Sequence, residues 1–310
     1  MYLVTGGAGF IGSNVVHHLA GRGERVRVLD DFSTGRRENL IGLEGKVEVI
    51  AGDLRSREAV AKAVAGVRYI LHIGALPSVI RSVEDPWTAN EVNIDGTLNL
   101  LIAARDAGVE RLVFSSSSSV YGDTPVLPKR EDMIPTPLSP YALHKLTGEH
   151  YCRMFSSLYG LKTFSLRYFN VFGPRQNPKS DYAAVIPLFV RAYLEDRAPV
   201  IHGDGKQTRD FTFVEDIVRA NLACCTAPES AAGGVFNVAW GNRITINELA
   251  DTIAKILGKT MKPTHVASRA GDVRDSQADS SRANNILGWT PQVSFADGLA
   301  RTIAWYQAGH

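Results

Sequence analysis

The sequence predicts an α/β fold: a doubly wound parallel sheet in the first half, with a smaller C-terminal α/β region beside it. Short apolar runs alternate with amphipathic segments, and these runs are YLVTG, RVRVLD, VEVIAGDL, YILHIGA, RLVFSS and TFSLRYF. Strands that are apolar throughout are typical of a parallel sheet covered on both faces by its connecting helices. The rhythm breaks after residue 170, so we expect one domain over residues 1–170 and a second region over 171–310, some of whose segments return to the first domain.

The helical segments between these runs have clear ends. Both IGSNVVHHLAGRG and TLNLLIAARDAGV carry apolar residues at helical spacing and are closed by glycine. In the second region, Thr245 and Glu248 stand at the spacing of a capping box, in which each side chain bonds the backbone N–H of the other residue. A helix is therefore predicted to begin there.

Composition excludes several kinds of partner. The 34 lysines and arginines nearly balance 32 aspartates and glutamates, which predicts neither a nucleic acid nor a membrane as partner. Cys152, Cys224 and Cys225 match neither a disulfide framework nor a zinc site, and the eight histidines show no metal spacing. The first residues show no leader pattern, and no apolar run reaches the roughly 20 residues of a membrane span. We expect a cytoplasmic protein without a metal.

The segment VTGGAGFIGSN places Gly6, Gly9 and Gly12 at the turn from the first strand into the first helix. Glycines let the backbone approach a pyrophosphate, and the helix N-terminus offers unpaired N–H groups. Asp30 ends the second strand, 18 residues after Gly12, where a carboxylate binds ribose hydroxyls and repels a 2′-phosphate. This pattern predicts a Rossmann-like domain that binds NAD rather than NADP. Asp53 is expected either at the adenine edge or in a surface turn.

The segment SPYALHKLTGEHY places Tyr141 and Lys145 four residues apart on a predicted helix, so both side chains share one face. A nearby cation lowers the pKa of a phenol from its usual ~10, which would make Tyr141 a base near neutral pH. The alternative is a tyrosine and a lysine that merely share an exposed face. The dinucleotide turn in the same chain favours the catalytic interpretation.

Together with FSSSSSVYG (114–122), these motifs resemble the extended short-chain dehydrogenase/reductase family over essentially the whole chain. In that family a serine or threonine on the strand before the catalytic helix hydrogen-bonds the reacting oxygen. The resemblance implies that Ser117 has this role and that Ser116 is its polar neighbour. Ser118 and Ser119 are expected to be packing or turn residues. The serine run is thus predicted to end a strand in an active site.

The residues after Ser117 separate the reactions of this family. Relatives that dehydrate nucleotide sugars have an Asp–Glu pair there, and decarboxylating relatives have a glutamate nearby, whereas this chain has Ser118 and Ser119. The resemblance implies NAD-dependent 4-epimerisation of a UDP-hexose through a transient 4-keto sugar, with Tyr141 as the base. NAD is expected to stay bound, because the hydride returns within one turnover.

Two other functions stay open. One is 4-epimerisation of UDP-glucuronate, which needs a cationic or polar group for the sugar carboxylate. The other is a non-catalytic NAD-binding regulator, although the intact set of Ser117, Tyr141 and Lys145 argues against it. Relatives usually form homodimers, which implies a homodimer through helices around residues 90–107 and 140–158.

The glycine turn and the resemblance together predict the contacts to NAD. Tyr168 is implied to lie beside the nicotinamide, and Asn93 to support the backbone of the active site. The expected cofactor-binding residues are Gly6, Gly9, Phe10, Ile11, Gly12, Asp30, Asp31, Ser33, Thr34, Gly35, Asp53, Leu54, Asn93, Tyr141, Lys145 and Tyr168.

The resemblance also implies contacts to the UDP-sugar. The expected substrate-binding residues are Ser78, Ser117, Asn170, Ala183, Val185, Ile186, Arg209, Arg269 and Ser276. Asn170, Arg209 and Arg269 would hold the diphosphate, the residues from 183 to 186 the uracil, and Ser78 with Ser82 the sugar. Epimerases restricted to UDP-glucose and UDP-galactose carry a tyrosine where Ser276 stands. Serine there leaves room for an N-acetyl group, so UDP-N-acetylglucosamine and UDP-N-acetylgalactosamine are expected substrates as well.

Overall fold

A seven-stranded parallel sheet is the centre of the fold in the computed structural model, which describes residues 1–177, 184–268 and 274–309. The strands of these residues are β1 Tyr2–Thr5, β2 Val26–Asp30, β3 Val47–Ala51, β4 Tyr69–His72, β5 Arg111–Ser117, β6 Lys162–Tyr168, β7 Val171–Phe172, β8 Val200–His202, β9 Thr208–Arg209, β10 Thr212–Phe213, β11 Gly234–Val238, β12 Ile244–Thr245 and β13 Thr264–Val266. The sheet order is β11-β6-β5-β4-β1-β2-β3, so the direction of winding reverses between β1 and β4.

Helices connect these strands. They are α1 Phe10–Gly21, α2 Arg57–Val64, α3 Val79–Glu84, α4 Pro86–Asn90, α5 Gly96–Asp106, α6 Pro140–Tyr159, α7 Val185–Leu194, α8 Val214–Thr226, α9 Ile246–Leu257, α10 Ser281–Leu287 and α11 Phe295–Gln307. The predicted capping box is confirmed at α9, where Thr245 and Glu248 each bond the backbone N–H of the other residue. None of the helices in the described part of the chain is long and apolar enough to cross a membrane.

Both faces of the sheet are covered. Helices α1 and α8 pack on one face, where Val16 and Ile217 share a buried cluster with the strands. Helices α2, α5 and α6 cover the other face, with Val60, Leu100 and Phe155 in a second buried cluster. The predicted doubly wound, Rossmann-like α/β class is therefore confirmed, and each of the six predicted strand runs contains a strand of this sheet.

The C-terminal half forms a smaller α/β layer beside the sheet. Three two-stranded pairs, β10 with β7, β12 with β9 and β13 with β8, lie there together with α7, α9 and α11. Their core is rich in aromatic rings, including Phe172, Phe211 and Phe295. Strand β11 joins the main sheet beside β6, and α8 packs against α1. The domain boundary at residue 170 stays a prediction.

Helix α6 lies unusually close to the strand that carries the serines. A Cβ atom at Gly148 would come within 2.3 Å of the ring of Phe114 on β5, so glycine is what allows this approach. The next residue, the buried Glu149, accepts hydrogen bonds from Arg167 on β6 and from Ser116 on β5. The helix is thereby held in a fixed position against both strands.

Candidate active site

Most of the predicted cofactor residues line one cleft at the carboxyl ends of the strands, where the winding of the sheet reverses. This dinucleotide cleft includes Gly6, Gly9, Phe10, Ile11, Gly12, Asp30, Asp31, Ser33, Thr34, Asp53, Leu54, Tyr141, Lys145 and Tyr168. Ligands of open α/β sheets bind at such a reversal point. Gly35 and Asn93, two other expected cofactor residues, are not among the residues that line it.

The glycine turn brings the backbone close to the cleft. Gly6 has a φ of +65°, and a Cβ there would lie 2.7 Å from the Cα of Gly74, in the segment after β4. A Cβ at Gly12 would lie 2.0 Å from the carbonyl oxygen of Gly6. Helix α1 begins at Phe10 without a side-chain cap, so its first N–H groups are available to an anion. The turn therefore fits a dinucleotide pyrophosphate.

Asp30 is buried at the end of β2 and is held by two backbone amides. Its carboxylate accepts hydrogen bonds from the N–H of Ala8 at 2.8 Å and of Phe32 at 2.9 Å. Burial raises the pKa of Asp30, and these two hydrogen bonds partly oppose that effect. A Cβ at Gly35 would lie 2.7 Å from its Oδ1, so the loop after β2 closes directly over the carboxylate.

Two further features of this cleft are an ion pair at Asp53 and a cation at Arg175. The carboxylate of Asp53 accepts hydrogen bonds from Arg55, which lower the pKa of Asp53. Arg175, which the sequence patterns did not single out, also lines the cleft and donates to Asn14 Oδ1 at 3.1 Å. Arg175 adds a half-buried cation beside the first helix, and burial lowers its pKa.

Ser117, Tyr141 and Lys145 come together beside the cleft, at the junction of β5 and α6. The side chain of Ser117 lies close enough to the Tyr141 hydroxyl to lower its pKa, against the larger effect of burial. The ammonium of Lys145 donates to the backbone carbonyl of Ser115 at 2.7 Å and lies 5.8 Å from the centre of the Tyr141 ring. The strand end and the helix thus present a hydroxyl, a phenol and an ammonium together.

The pKa of Tyr141 differs from the sequence-based expectation. Burial raises the pKa of Tyr141 to about 12, against a smaller lowering by the Ser117 hydrogen bond. Burial also lowers the pKa of Lys145 to about 8. The ammonium is directed at the Ser115 carbonyl, so in the protein alone burial outweighs any effect of the lysine on the phenol.

Neighbouring side chains fix the wall around this set. Asn93 Oδ1 accepts from the backbone N–H of Leu76 at 2.8 Å, and its amide donates to the Leu76 carbonyl at 3.2 Å. The Tyr168 hydroxyl lies 3.0 Å from Ser115 Oγ and accepts from the amide of Asn221 at 2.8 Å. Asn93 therefore holds the segment before α3, as expected for a residue that supports the backbone.

The two serines expected near the sugar lie in different environments. Ser78 is partly exposed and caps α3, accepting from the N–H of Arg81 at 3.1 Å. Ser82 is only 1% exposed, and the expectation that it contacts the sugar is wrong for this arrangement. Its hydroxyl donates to the Val79 carbonyl at 2.6 Å and accepts from the backbone N–H of Tyr141 at 3.1 Å.

A second cavity, beside the C-terminal layer, collects the expected substrate residues. Asn170, Val185, Ile186 and Arg209 line it. The Asn170 amide donates to the Asp210 carbonyl at 3.2 Å and lies 3.5 Å from Ser276 Oγ, so Ser276 adjoins this cavity. The expected contacts at Ala183 and Arg269 lie outside the described residues.

Asp210 is a residue of this region that the sequence patterns missed. It is fully buried, and its carboxylate accepts from the N–H groups of Gly241 at 3.1 Å and Ala278 at 3.0 Å. Burial raises the pKa of Asp210 to about 7. Asp210 joins the segments around residues 241 and 278 to the strand that carries Arg209. In the described ranges, no three His, Cys, Asp or Glu side chains are grouped so as to hold a metal ion.

Comparison with known proteins agrees with this geometry. The chain is 42% identical to the UDP-glucose 4-epimerase of Mycolicibacterium smegmatis over 314 residues, covering 98% of each. It matches the structure of the Methanobrevibacter ruminantium UDP-N-acetylglucosamine 4-epimerase, in complex with UDP-N-acetylmuramic acid, with a TM-score of 0.95 and 39% identity over 100% of this chain and 98% of that one. The UDP-glucose 4-epimerase of Thermus thermophilus in complex with NAD matches with a TM-score of 0.90 and 36% identity, over 100% and 99%.

A family model describes the same relationship. The model of the NAD dependent epimerase/dehydratase family matches residues 2–239 of this chain. The resemblance to the extended short-chain dehydrogenase/reductases is confirmed, and so is the expectation of NAD as the cofactor. From its glycine turn, its serine–tyrosine–lysine set and these matches together, the chain belongs to the NAD dependent epimerase/dehydratase family.

Proposed function

We propose that this protein is an isomerase, a UDP-hexose 4-epimerase that uses NAD. The observation that carries this proposal is the set of Ser117, Tyr141 and Lys145 beside the dinucleotide cleft, without an acid at positions 118 and 119. Bound NAD would supply a hydride acceptor and donor for C4 of the sugar, together with a positive charge in the cleft that Tyr141 lines. Gly6, Gly12 and Asp30 would hold it.

Side chains of the protein would remove the proton of the C4 hydroxyl and later return it. Tyr141 removes the proton from the C4 hydroxyl, and Ser117 donates a hydrogen bond to the same oxygen as the 4-keto sugar forms. Lys145 stabilises the phenolate by its charge. After the hexose turns over within the site, Tyr141 returns the proton to the C4 oxygen. The sugar must therefore be held loosely while the nucleotide is held firmly.

The cavity beside the C-terminal layer favours a UDP-sugar as the substrate. We propose that residues 1–170 bind NAD and that 171–310 bind the nucleotide sugar, with Asn170 and Arg209 at the diphosphate and Val185 with Ile186 at the base. Arginine suits a diphosphate because its planar fork bridges oxygens. The small side chain of Ser276 favours both plain and N-acetylated hexoses, and the matched relatives include epimerases named for each kind of sugar.

We propose that the protein is a homodimer and that it is cytoplasmic. Exposed apolar side chains support the homodimer, and the free cysteines support the cytoplasmic location. Helix α6 exposes apolar side chains to solvent at Leu143, Met154 and Leu158, with 51%, 44% and 70% of their surface accessible. A second copy of the chain, packing along α5 and α6, would bury them. The three cysteines are free thiols, as is usual in a reducing compartment.

The proposal is tested by assaying purified protein, with no added cofactor, on UDP-glucose, UDP-N-acetylglucosamine and UDP-glucuronate. We expect 4-epimers of the first two, together with bound NAD that can be released and identified. Tyr141→Phe should keep the fold and NAD but lose about 10²–10⁴-fold in turnover, because it lacks the base; Ser117→Ala should lose less. Strict dependence on added NADP, turnover of UDP-glucuronate alone, or near-normal turnover in Tyr141→Phe would refute the proposal.

A further inference from the structure

The hydroxyl of Ser119 lies against that of Ser117, in the turn that follows β5. Ser117 Oγ accepts a hydrogen bond from the backbone N–H of Ser119 at 3.2 Å and a second one from the Ser119 hydroxyl at 2.9 Å. Ser117 thereby caps the short 3₁₀ turn over Ser118–Tyr121, and both serines are partly exposed. Ser119 therefore contacts the proposed catalytic serine through both its backbone and its side chain.

These two contacts determine the direction in which Ser117 donates. A serine hydroxyl has two acceptor lone pairs and one proton. Both acceptor positions of Ser117 face donors on Ser119, so the proton of Ser117 is directed away from Ser119. The other polar group that acts on the Ser117 side chain is the Tyr141 hydroxyl, whose pKa Ser117 lowers against the larger effect of burial.

We propose that Ser119 is a positioning residue for the epimerisation: it orients the Ser117 hydroxyl so that its one proton is donated to the Tyr141 oxygen while the sugar site is empty, and to the C4 oxygen once the sugar is bound. This inference rests on the proposed function. Without the Ser119 hydroxyl, Ser117 keeps its place at the strand end but can rotate its proton towards another acceptor. The phenolate of Tyr141, or the C4 oxygen when the sugar is bound, would then lose this donor.

A change in the acidity of Tyr141 is the expected consequence. The Ser117 hydrogen bond lowers the pKa of Tyr141, so its loss should raise that pKa. Titratable groups of the neighbouring elements, among the residues that the structure describes, include Lys145 and His144 on α6, His72 on β4, and Tyr168 on β6, which is the register partner of Ser117. Replacing Ser119 changes none of these groups. Because Tyr141 acts as a base, the acid limb of the activity profile should move to higher pH.

The test compares Ser119→Ala with Ser118→Ala, the adjacent residue, and with Ser119→Thr, which restores a hydroxyl. Two quantities are measured on NAD-loaded protein: kcat and KM for 4-epimerisation across pH, and the tyrosinate absorbance that disappears in Tyr141→Phe. Retained NAD and an unchanged unfolding temperature check that each variant is folded.

In Ser119→Ala we expect kcat to fall about fivefold to tenfold, as for one lost hydrogen bond, with KM within about twofold. The acid limb and the tyrosinate midpoint should both rise by about half a pH unit or more. Ser118→Ala and Ser119→Thr should resemble the wild type. A tyrosinate midpoint in Ser119→Ala equal to that of Ser118→Ala would overturn the inference, as would failure of threonine to rescue. The titration needs no turnover, so it decides the role of Ser119 even if the wild type epimerises none of the sugars and the proposed function fails.

Discussion

The hydroxyl oxygen of Ser82 accepts a hydrogen bond from the backbone N–H of Tyr141, 3.1 Å away. Tyr141 is the second residue of α6, where an amide has no partner within its own helix. Ser82 itself donates to the Val79 carbonyl at 2.6 Å. Helix α3 comes directly after a cleft-lining segment in the chain. The hydrogen bond thereby connects α3 to the first turn of α6, which carries the proposed base Tyr141.

Ser82→Ala should lower both stability and kcat. The change leaves a partly buried N–H without its partner, which costs about 0.5–1.5 kcal/mol of the free energy of unfolding, and it loosens the position of the Tyr141 backbone. Thermal unfolding and steady-state kinetics measure the two effects. Ser294→Ala is the matched control, since Ser294 caps the remote helix α11 through the N–H of Asp297 at 3.1 Å. It should lose about 1 kcal/mol of stability with kcat unchanged. Equal kcat values in the two variants would show that the Ser82 contact is only structural.

Gly35→Ala should weaken NAD binding. The new Cβ would meet the Asp30 carboxylate at 2.7 Å and displace the side chain expected to hold the ribose. Overpacking of this kind costs about 1–3 kcal/mol, or about ten- to a hundredfold in the dissociation constant for NAD. Titration calorimetry on protein from which the cofactor has been removed measures this dissociation constant. Gly21→Ala in α1, where a Cβ meets nothing within 4 Å, should bind NAD as the wild type does. Unchanged affinity in Gly35→Ala would contradict the placement of the ribose at Asp30.

Removal of NAD should raise the pKa of Tyr141. In the protein alone, burial raises this pKa to about 12. A positive charge close to the phenol favours the phenolate, so the loaded protein should titrate one tyrosine below the usual ~10. The tyrosinate absorbance of the wild type minus that of Tyr141→Phe, recorded with and without NAD, gives both midpoints. If the two midpoints coincide, the cofactor does not activate the base.

Ser276→Tyr should restrict the enzyme to plain hexoses. Ser276 Oγ lies 3.5 Å from the Asn170 amide, at the substrate cavity, and a tyrosine would fill the space needed by an N-acetyl group. We expect a ten- to hundredfold loss of turnover with UDP-N-acetylglucosamine, corresponding to about 1–3 kcal/mol, and near-normal turnover with UDP-glucose. Ser281→Tyr, at an exposed position of α10, is the control. Unchanged preference in Ser276→Tyr would mean that another wall sets the specificity.

What could be predicted from the sequence depends on the distance over which each pattern acts. The glycine turn, the alternation of strands and helices, and the spacing of Tyr141 and Lys145 are short-range patterns, and they predicted the fold and the composition of the cleft. The Ser82–Tyr141 contact joins residues 59 positions apart, and no local pattern encodes such a pair. The pKa of Tyr141 was predicted in the wrong direction for the protein alone, because burial is a property of the packed fold. The roles of the individual site residues stay predictions.

The proposed epimerisation requires that the hydride removed from C4 return to C4, and an isotope label follows that hydride. Purified protein, without added cofactor, is given UDP-glucose or UDP-N-acetylglucosamine that carries deuterium at C4 of the hexose. We predict that the 4-epimer forms and keeps the deuterium at C4, because the hydride leaves and returns within one turnover. A 4-epimer that has exchanged this deuterium for solvent hydrogen, or no 4-epimer of either sugar, would contradict it.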